Sequence, residues 1–395
     1  MADPNAYKRK YGNSGIDVST IKSLLHPDEA LLEYIQIDDK MHAIMYDGTN
    51  IYSHTIDTTT YKKAVTAFLN SKNKKTALSL SESILPNEIA KYKRLLIIPE
   101  NELYYVNFEA LLDDQGDYLV ENKTIRYAYS MAVLEHQIVL ATIKKNKNNI
   151  LGLTPGFSDK MKEGYRKKVV KNKNDSLFLY LLQQPFMVEL AENINAFRNS
   201  DSYADSLATE EIYKEKSNDY QILHFGTHGV LNEESPLFSK LIFAKGEHED
   251  GNLHTYEIYN QNLDANLAVL SACNTGRGKI KNGESIRSLA HAFTHAGCPA
   301  VLMTLWEVDE SSTAQIIKIF YDYLLEGDKK SDALRKAKLD FLKDAPPALK
   351  DPYYWSGLVI IGNDNPIFKS GFNYWYLLVG LLIFIVLLLF FKNRK

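Results

Sequence analysis

Short apolar runs and amphipathic segments alternate along most of this chain. Apolar runs that end at proline or turn-forming residues predict buried strands, and such runs occur at 31–37, 42–46, 94–98, 150–153, 222–225, 241–244, 267–271, 300–305 and 357–361. Apolar residues spaced three to four positions apart predict helices, and such segments occur at 59–70, 78–92, 132–144, 187–197, 285–296, 312–325 and 331–343. This alternation predicts an α/β fold with a mostly parallel sheet between helices.

Changes in polarity divide the chain into parts. A polar lead-in is predicted at 1–28 and an N-terminal α/β part at 29–149, which ends in a stretch rich in lysine and asparagine. The main α/β part is predicted at 150–368. Within it, the basic stretch 160–175 predicts a solvated loop, with a processing loop as the alternative because proteolytic sites concentrate in such loops.

The C-terminal segment 374–391 is apolar and carries no charge. Eighteen helical residues would span about 27 Å, close to the thickness of a bilayer core. Aromatic residues occupy the first three positions of the segment, 374–376, and the basic tail 392–395 follows it, an arrangement typical of the two membrane interfaces. We therefore predict one transmembrane helix that contacts the lipid bilayer, with a buried core helix as the alternative.

The membrane orientation stays open at the level of sequence. The basic tail favours a cytoplasmic C-terminus, which would place the main body outside. No apolar leader occurs near Met1, so the alternatives are a C-terminal anchor in the cell membrane with a cytoplasmic body, or a natural N-terminus that is missing from this sequence.

Composition and short motifs argue against several classes of function and site. The chain has 395 residues and a formal net charge of -3, which gives no basic footprint for nucleic acid. Its two cysteines, Cys273 and Cys298, form neither a disulfide framework nor a CxxC metal pair. The phosphate-binding GxxxxGK[ST] loop does not occur. We predict no cofactor and no metal site.

His228 and Cys273 each follow an apolar run and each precede small turn residues. The first run reads YQILHFGTHG at 220–229, and the second reads LAVLSACNTG at 267–276. Functional sites of open α/β sheets collect at the carboxyl ends of the strands. An imidazole beside a thiol is the arrangement of a cysteine nucleophile with a histidine base.

The residues around this pair resemble the CHAT domain, a caspase- and separase-like family usually found in bacteria. The resemblance is carried by an ordered series of motifs: 95–100 (LLIIPE), 108–112 (FEALL), 271–276 (SACNTG), 283–286 (GESI), 289–293 (LAHAF), 296–309 (AGCPAVLMTLWEVD), 333–337 (ALRKA) and 352–362 (PYYWSGLVIIG). It implies a caspase-like α/β/α sandwich after the smaller N-terminal part. It also implies a cysteine endopeptidase that cuts a specific protein or peptide, with roles in bacterial signalling or defence.

The resemblance also implies roles for individual residues. Cys273 and His228 would form the catalytic dyad, and the backbone N–H groups of Gly229 and Cys273 would form the oxyanion hole. Ser271, two positions before the cysteine, would line the substrate pocket. Asp309 matches an acidic pocket residue of separase and would pair with a basic substrate side chain. The alternative for Asp309 is that it caps the helix that begins near residue 312.

Two alternatives to a cysteine endopeptidase remain at this point. The first is a catalytically silent scaffold that binds partner proteins, since Cys273 alone is compatible with an inert thiol. The second is a transpeptidase that uses the same dyad. His224 is predicted as a strand residue that faces the sheet, because its spacing to His228 matches a pair of metal ligands only on a helix and 222–227 is not predicted as helical. The resemblance further implies an upstream sensor or tetratricopeptide-repeat module as a partner.

Overall fold

The computed structural model describes residues 16–143, 148–168, 177–232, 234–271 and 284–369. Fourteen strands lie in this part of the chain: β1 Glu29–Ile37, β2 Lys40–Tyr46, β3 Ile51–Ile56, β4 Arg94–Ile98, β5 Thr124–Tyr127, β6 Asn148–Thr154, β7 Asp201–Ala204, β8 Tyr220–Phe225, β9 Gly229–Val230, β10 Lys240–Ile242, β11 Asn252–His254, β12 Leu267–Leu270, β13 Ala300–Thr304 and β14 Leu358–Gly362.

The same ranges contain fourteen α-helices. They are α1 Val18–Leu24, α2 Thr58–Asn70, α3 Lys74–Ile84, α4 Leu119–Asn122, α5 Met131–Ile143, α6 Asp159–Lys168, α7 Leu177–Tyr180, α8 Pro185–Ala196, α9 Glu210–Lys216, α10 Thr255–Tyr259, α11 Glu284–His295, α12 Glu310–Leu325, α13 Lys330–Asp344 and α14 Pro352–Trp355. Short 3-10 turns connect several of them.

Eleven strands form one sheet in the order β3-β2-β1-β4-β5-β14-β13-β12-β8-β6-β7. Neighbouring strands are parallel except in the pairs β1–β2, β2–β3 and β13–β14. Strands β9, β10 and β11 form a separate antiparallel sheet. The predicted α/β fold with a large, mostly parallel sheet is confirmed.

Both faces of the sheet are covered, as the side chains of β4 show. Leu95 and Ile97 belong to the main core, whereas Leu96 and Ile98 belong to a second cluster that includes Met131 of α5. Successive side chains of a strand point to opposite faces, so the two clusters lie on opposite sides. Burial on both faces explains why the strands read as continuous apolar runs.

Two predicted elements differ from the structure. The helix predicted at 78–92 ends at Ile84, because the residue before Pro86 is restricted to extended backbone and a 3-10 turn follows at Asn87–Lys91. The basic stretch predicted as a loop at 160–175 begins instead as helix α6, and its residues 169–176 lie outside the described ranges.

No helix in the described part of the chain is long and apolar enough to span a bilayer. The segment 374–391 lies outside that part, so its role as a transmembrane helix stays a prediction.

The sheet is continuous across the predicted boundary between the N-terminal and main parts. Strand β5 pairs in parallel with β14 at Tyr127 and Ile361. Next to this strand pair, the buried ammonium of Lys338 forms an ion pair with the buried carboxylate of Glu109. It also donates a hydrogen bond to the carbonyl of Leu358 at 2.6 Å. The two parts are thus joined by a strand pair and by a buried ion pair.

Asp364, just after β14, is a second charged junction. Its carboxylate accepts hydrogen bonds from Arg94 of β4 at 2.9 Å and from the Ser331 hydroxyl of α13 at 2.7 Å. Burial alone would raise the pKa of Asp364, but His26, Arg126 and Arg94 outweigh that effect and hold the pKa well below its ordinary value. The negative charge of Asp364 therefore stabilises the folded state.

We predict that Asp364→Asn lowers the free energy of unfolding by about 2–4 kcal/mol at pH 7, because it removes one of the two carboxylates paired with the largely buried Arg94. A carboxylate with a depressed folded-state pKa contributes stability above the pKa of its unfolded state, about 3.9, and loses that contribution as the pH falls further. The difference between the parent and the variant should therefore shrink below about pH 4 in urea unfolding.

The exposed pair of Asp328 and Lys336 supplies the matched control. Asp328→Asn should change the free energy of unfolding by less than about 1 kcal/mol, since surface ion pairs contribute little. Equal effects of the two substitutions would contradict a stabilising role for Asp364.

Candidate active site

The carboxyl ends of β8 and β12 lie side by side in the main sheet. These strands pair in parallel, and Leu270 is level with Phe225. His228 follows Phe225 by three positions, and Cys273 follows Leu270 by three positions. Position 273 itself lies outside the described residues. The 45-residue offset between paired strand residues equals the offset between His228 and Cys273.

The His228 ring is held from several sides and is only 4% exposed. It packs against Phe157 with ring centroids 4.9 Å apart. Its Nε2 lies 2.8 Å from the carbonyl oxygen of Leu182. Its Nδ1 is buried and has no hydrogen-bond partner among the described residues.

These contacts select one form of the His228 imidazole. A carbonyl oxygen only accepts hydrogen bonds, so Nε2 carries the proton and donates to Leu182. Burial lowers the pKa of His228, the hydrogen bond to Leu182 raises it, and the nearby charge of Lys162 lowers it further, with a net decrease. The ring is therefore neutral near pH 7, and Nδ1 offers a lone pair as a proton acceptor.

The N–H group of Gly229, the first residue of β9, is oriented by the small antiparallel sheet. Ile242 donates its N–H to the carbonyl of His228 at 2.9 Å, and Gly229 is the partner of Leu241. Hydrogen-bonded and non-hydrogen-bonded pairs alternate along an antiparallel ladder. Gly229 and Leu241 are thus a non-hydrogen-bonded pair, and the N–H of Gly229 points away from β10.

Ser271 lies at the end of β12, beside β8. Its backbone N–H and its hydroxyl both donate to the carbonyl of Phe225, at 3.3 and 3.0 Å. The residue is buried. The contact ties the two strand ends together, and a role for Ser271 in a substrate pocket stays a prediction.

Asp309 occupies the position before helix α12, as the capping alternative predicts. Its Oδ1 accepts the backbone N–H of Ser312 at 2.8 Å. The next residue, Glu310, reaches across to α8, where its carboxylate accepts the N–H of Met187 at 3.0 Å. Both carboxylates thus stabilise helix N-termini, and the pocket role of Asp309 stays a prediction.

His224 lies within β8 and has a structural environment. The ring is fully buried, and its Nδ1 lies 2.8 Å from the hydroxyl of Tyr321. Burial lowers the pKa of His224 to about 3. No group of three potential metal ligands occurs among the described residues.

Three residues around His228 have roles that the sequence analysis does not identify: Phe157, Lys162 and Leu182. Leu182 acts through its backbone carbonyl, which every residue has, so the sequence does not indicate this contact. Lys162 is one of several basic residues in 160–175, and nothing in the sequence distinguishes it from the others. Phe157 follows Gly156 in a turn where both residues have positive φ, 53° and 68°, and only the turn-forming pair Pro155-Gly156 marks this site in the sequence.

Known proteins show similarity to this chain. Tetratricopeptide repeat protein 28 of Homo sapiens is 23% identical over 311 residues, which cover 70% of this chain and 12% of the human protein. This chain therefore spans a small fraction of that relative.

Two solved structures are similar at low identity. The separase–securin complex of Saccharomyces cerevisiae aligns with 72% of this chain and 17% of its own chain, at 15% identity and a TM-score of 0.41. The Arg-specific cysteine proteinase gingipain R of Porphyromonas gingivalis aligns with 78% of this chain and 68% of its own chain, at 8% identity and a TM-score of 0.42.

The family assignment rests on the sequence profile of the CHAT domain. This profile matches residues 74–363, which include β4 to β14, His228 and Cys273. Because the match covers most of its length, this chain belongs to the CHAT domain family.

Proposed function

We propose that this chain is a caspase-like cysteine endopeptidase in which His228 is the general base and Cys273 is the nucleophile. The observation that carries the proposal is the state of His228. Its Nε2–H donates a hydrogen bond to the Leu182 carbonyl, while its buried Nδ1 has no hydrogen-bond partner among the described residues. A general base at a strand end needs this free lone pair.

The strand register supports Cys273 as the partner of that lone pair. Parallel strands β8 and β12 keep a constant offset, and Cys273 has this same offset from His228. The other cysteine, Cys298, is buried in the core and donates to the carbonyl of Ala300 at 3.3 Å. Cys298 is therefore unsuited to nucleophilic attack.

The proposed reaction uses one proton relay. His228 Nδ1 takes the thiol proton, and the Cys273 sulfur attacks the scissile carbonyl carbon. The imidazolium returns the proton to the leaving amine, and water then hydrolyses the thioester. The Leu182 carbonyl stabilises the imidazolium through Nε2–H, as a hydrogen bond to the charged form does.

Gly229 and Cys273 are the proposed oxyanion donors. The N–H of Gly229 points away from β10 and is therefore available to a ligand at the outer edge of β9. Glycine also allows the backbone to approach a substrate closely. One such donor is worth about 2.7–4 kcal/mol of transition-state stabilisation.

Substrate choice is proposed to involve Ser271 and Asp309. Asp309 uses Oδ1 as a helix cap, and the second carboxylate oxygen would pair with an arginine or lysine before the cut. If Asp309 serves only as a cap, the preference falls on neutral or apolar side chains.

A second candidate is a catalytically silent scaffold. The observation that favours it is the similarity to tetratricopeptide repeat protein 28, since repeat proteins of this kind present extended surfaces for partners. A scaffold would need neither a free Nδ1 on His228 nor a thiol at position 273.

We predict that the chain cleaves members of a peptide library that varies the residue before the cut. Cys273→Ala should lower the cleavage rate by about 10³-fold or more, because loss of a nucleophile removes most of the catalysis. The matched control is Cys298→Ala, which removes the other thiol and should keep a rate close to that of the parent.

The two variants separate the candidate functions. Cleavage that survives Cys273→Ala would contradict the proposed nucleophile. A parent chain that cuts no peptide would favour the scaffold, and transfer of the acyl group to an added amine instead of water would indicate a transpeptidase. Preference for arginine or lysine would support the pocket role of Asp309.

We also propose that residues 374–391 anchor the chain in a membrane. Arginine at the centre of a transmembrane helix costs about 2.5–3.5 kcal/mol per residue. The double variant Ile383→Arg and Leu387→Arg should therefore move the protein from the carbonate-resistant membrane fraction to the supernatant. Ile383→Leu with Leu387→Ile is the control and should stay with the membrane. A parent chain already in the supernatant would contradict the anchor.

A further inference from the structure

Two consecutive carbonyl groups lie between α7 and α8, in the segment 181–184, here called the strap. The carbonyl of Leu181 accepts from the Lys162 ammonium at 2.6 Å, and the carbonyl of Leu182 accepts from His228 Nε2 at 2.8 Å. The strap is also tied down at its far end, where Gln184 donates its N–H to the carbonyl of Gly156 at 2.8 Å.

Lys162 holds the strap from within the protein. The residue is only 9% exposed and lies on the buried side of α6. Burying an ammonium group is costly unless it is hydrogen-bonded, so the contact with Leu181 is a strong constraint on the strap. Since Leu182 is the next residue, the same contact limits where its carbonyl can lie.

We propose that Lys162 is a positioning residue of the active site, which acts through the strap to keep the Leu182 carbonyl on Nε2 of His228 and so to leave Nδ1 as the proton acceptor. This inference rests on the proposed function and adds a residue to it. Lys162 touches neither the substrate nor the reacting atoms in this proposal.

Lys162 also acts on the His228 ring in a second way, through its charge. Phe157 packs against His228 with an angle of 43° between the ring planes, and it also contacts Phe178 of α7 with ring centroids 5.2 Å apart. The Phe157 ring and the Leu182 carbonyl contact the imidazole without bringing a formal charge to it, and Lys162 is a nearby positive charge. The positive charge of Lys162 opposes protonation of His228 and lowers its pKa.

A purely structural role for Lys162 predicts a different outcome. The carbonyl of Leu181 follows α7, and a lysine at that point also stabilises a helix C-terminus. In that case the loss of Lys162 would lower stability and leave the tautomer and the titration of His228 unchanged. A measurement on the imidazole itself therefore separates the two roles.

The test uses the full chain with ¹⁵N-labelled histidine, and His228→Asn identifies the His228 signals. Nitrogen shifts distinguish a protonated ring nitrogen from one with a free lone pair. Spectra recorded against pH give both the tautomer and the titration of His228. Lys162→Met removes the donor and the charge, and Lys162→Gln removes the charge but keeps a shorter donor. Lys162→Arg keeps both the donor and the charge.

The parent and Lys162→Arg should show one tautomer, with the proton on Nε2. Lys162→Met should populate both tautomers, and its His228 should titrate at higher pH, because a positive charge is lost and water reaches the ring. In Lys162→Gln, His228 should also titrate at higher pH, because the positive charge is lost. The control Lys160→Met, at an exposed position of the same helix, should match the parent.

Cleavage gives the second readout. Lys162→Met should lower kcat by about tenfold, which corresponds to about 1.4 kcal/mol of barrier, with little change in KM and with rescue by Lys162→Arg. A Lys162→Met chain with the parent's tautomer and titration would overturn the inference. If the parent itself cleaves nothing, the proposed function fails, and the tautomer still decides the role of Lys162.

Discussion

The parallel pairing of β8 with β12 is the constraint on which the proposed site depends. Both strands are buried on both faces and are held by neighbours on each side, so their ends cannot slip past one another without moving every side chain to the opposite face. The carboxyl ends are therefore level, and whatever follows them begins at the same edge. His228 and Cys273 are the residues three positions beyond those ends.

The contacts around His228 orient a ring whose backbone position the sheet has already set. The small antiparallel sheet fixes the backbone from His228 to Val230. The Leu182 carbonyl then fixes the tautomer, and burial keeps the ring neutral. Preorganisation of this kind avoids reorganisation during the reaction. Far from the site, buried charges at Glu109 and Asp364 hold the N-terminal strands to the same sheet.

Much of the scaffold could be predicted from the sequence, because most strands are buried and read as apolar runs. The misses have physical reasons. Strand β5 is fully buried, but it contains the charged Arg126, so its sequence does not read as an apolar run. The guanidinium of Arg126 is paired with Glu29 at 2.7 Å inside the protein. Strand β7 is a short edge strand with partly exposed side chains, so it has no apolar run.

The candidate site could be predicted only in part. His228 and Gly229 follow from the pattern of an apolar run that ends in His-Gly. The Leu182 carbonyl and the buried contact of Lys162 could not be predicted, because backbone acceptors and the burial of single cations leave no periodic signal. The sequence is compatible with Asp309 as a pocket carboxylate or as a helix cap, and the structure shows it as a helix cap.

The most direct test of the account is the pH dependence of Cys273 alkylation by iodoacetamide, followed by peptide mapping, in the parent and in His228→Gln. A neutral histidine base takes the thiol proton as the sulfur attacks, so a paired thiol reacts at pH values below the pKa of a free cysteine, about 8.5. We expect rapid alkylation of Cys273 near neutral pH in the parent and a shift of the profile toward about 8.5 in His228→Gln. Buried Cys298 serves as the internal control and should react slowly in both proteins. Identical Cys273 profiles in the two proteins would contradict the proposed dyad.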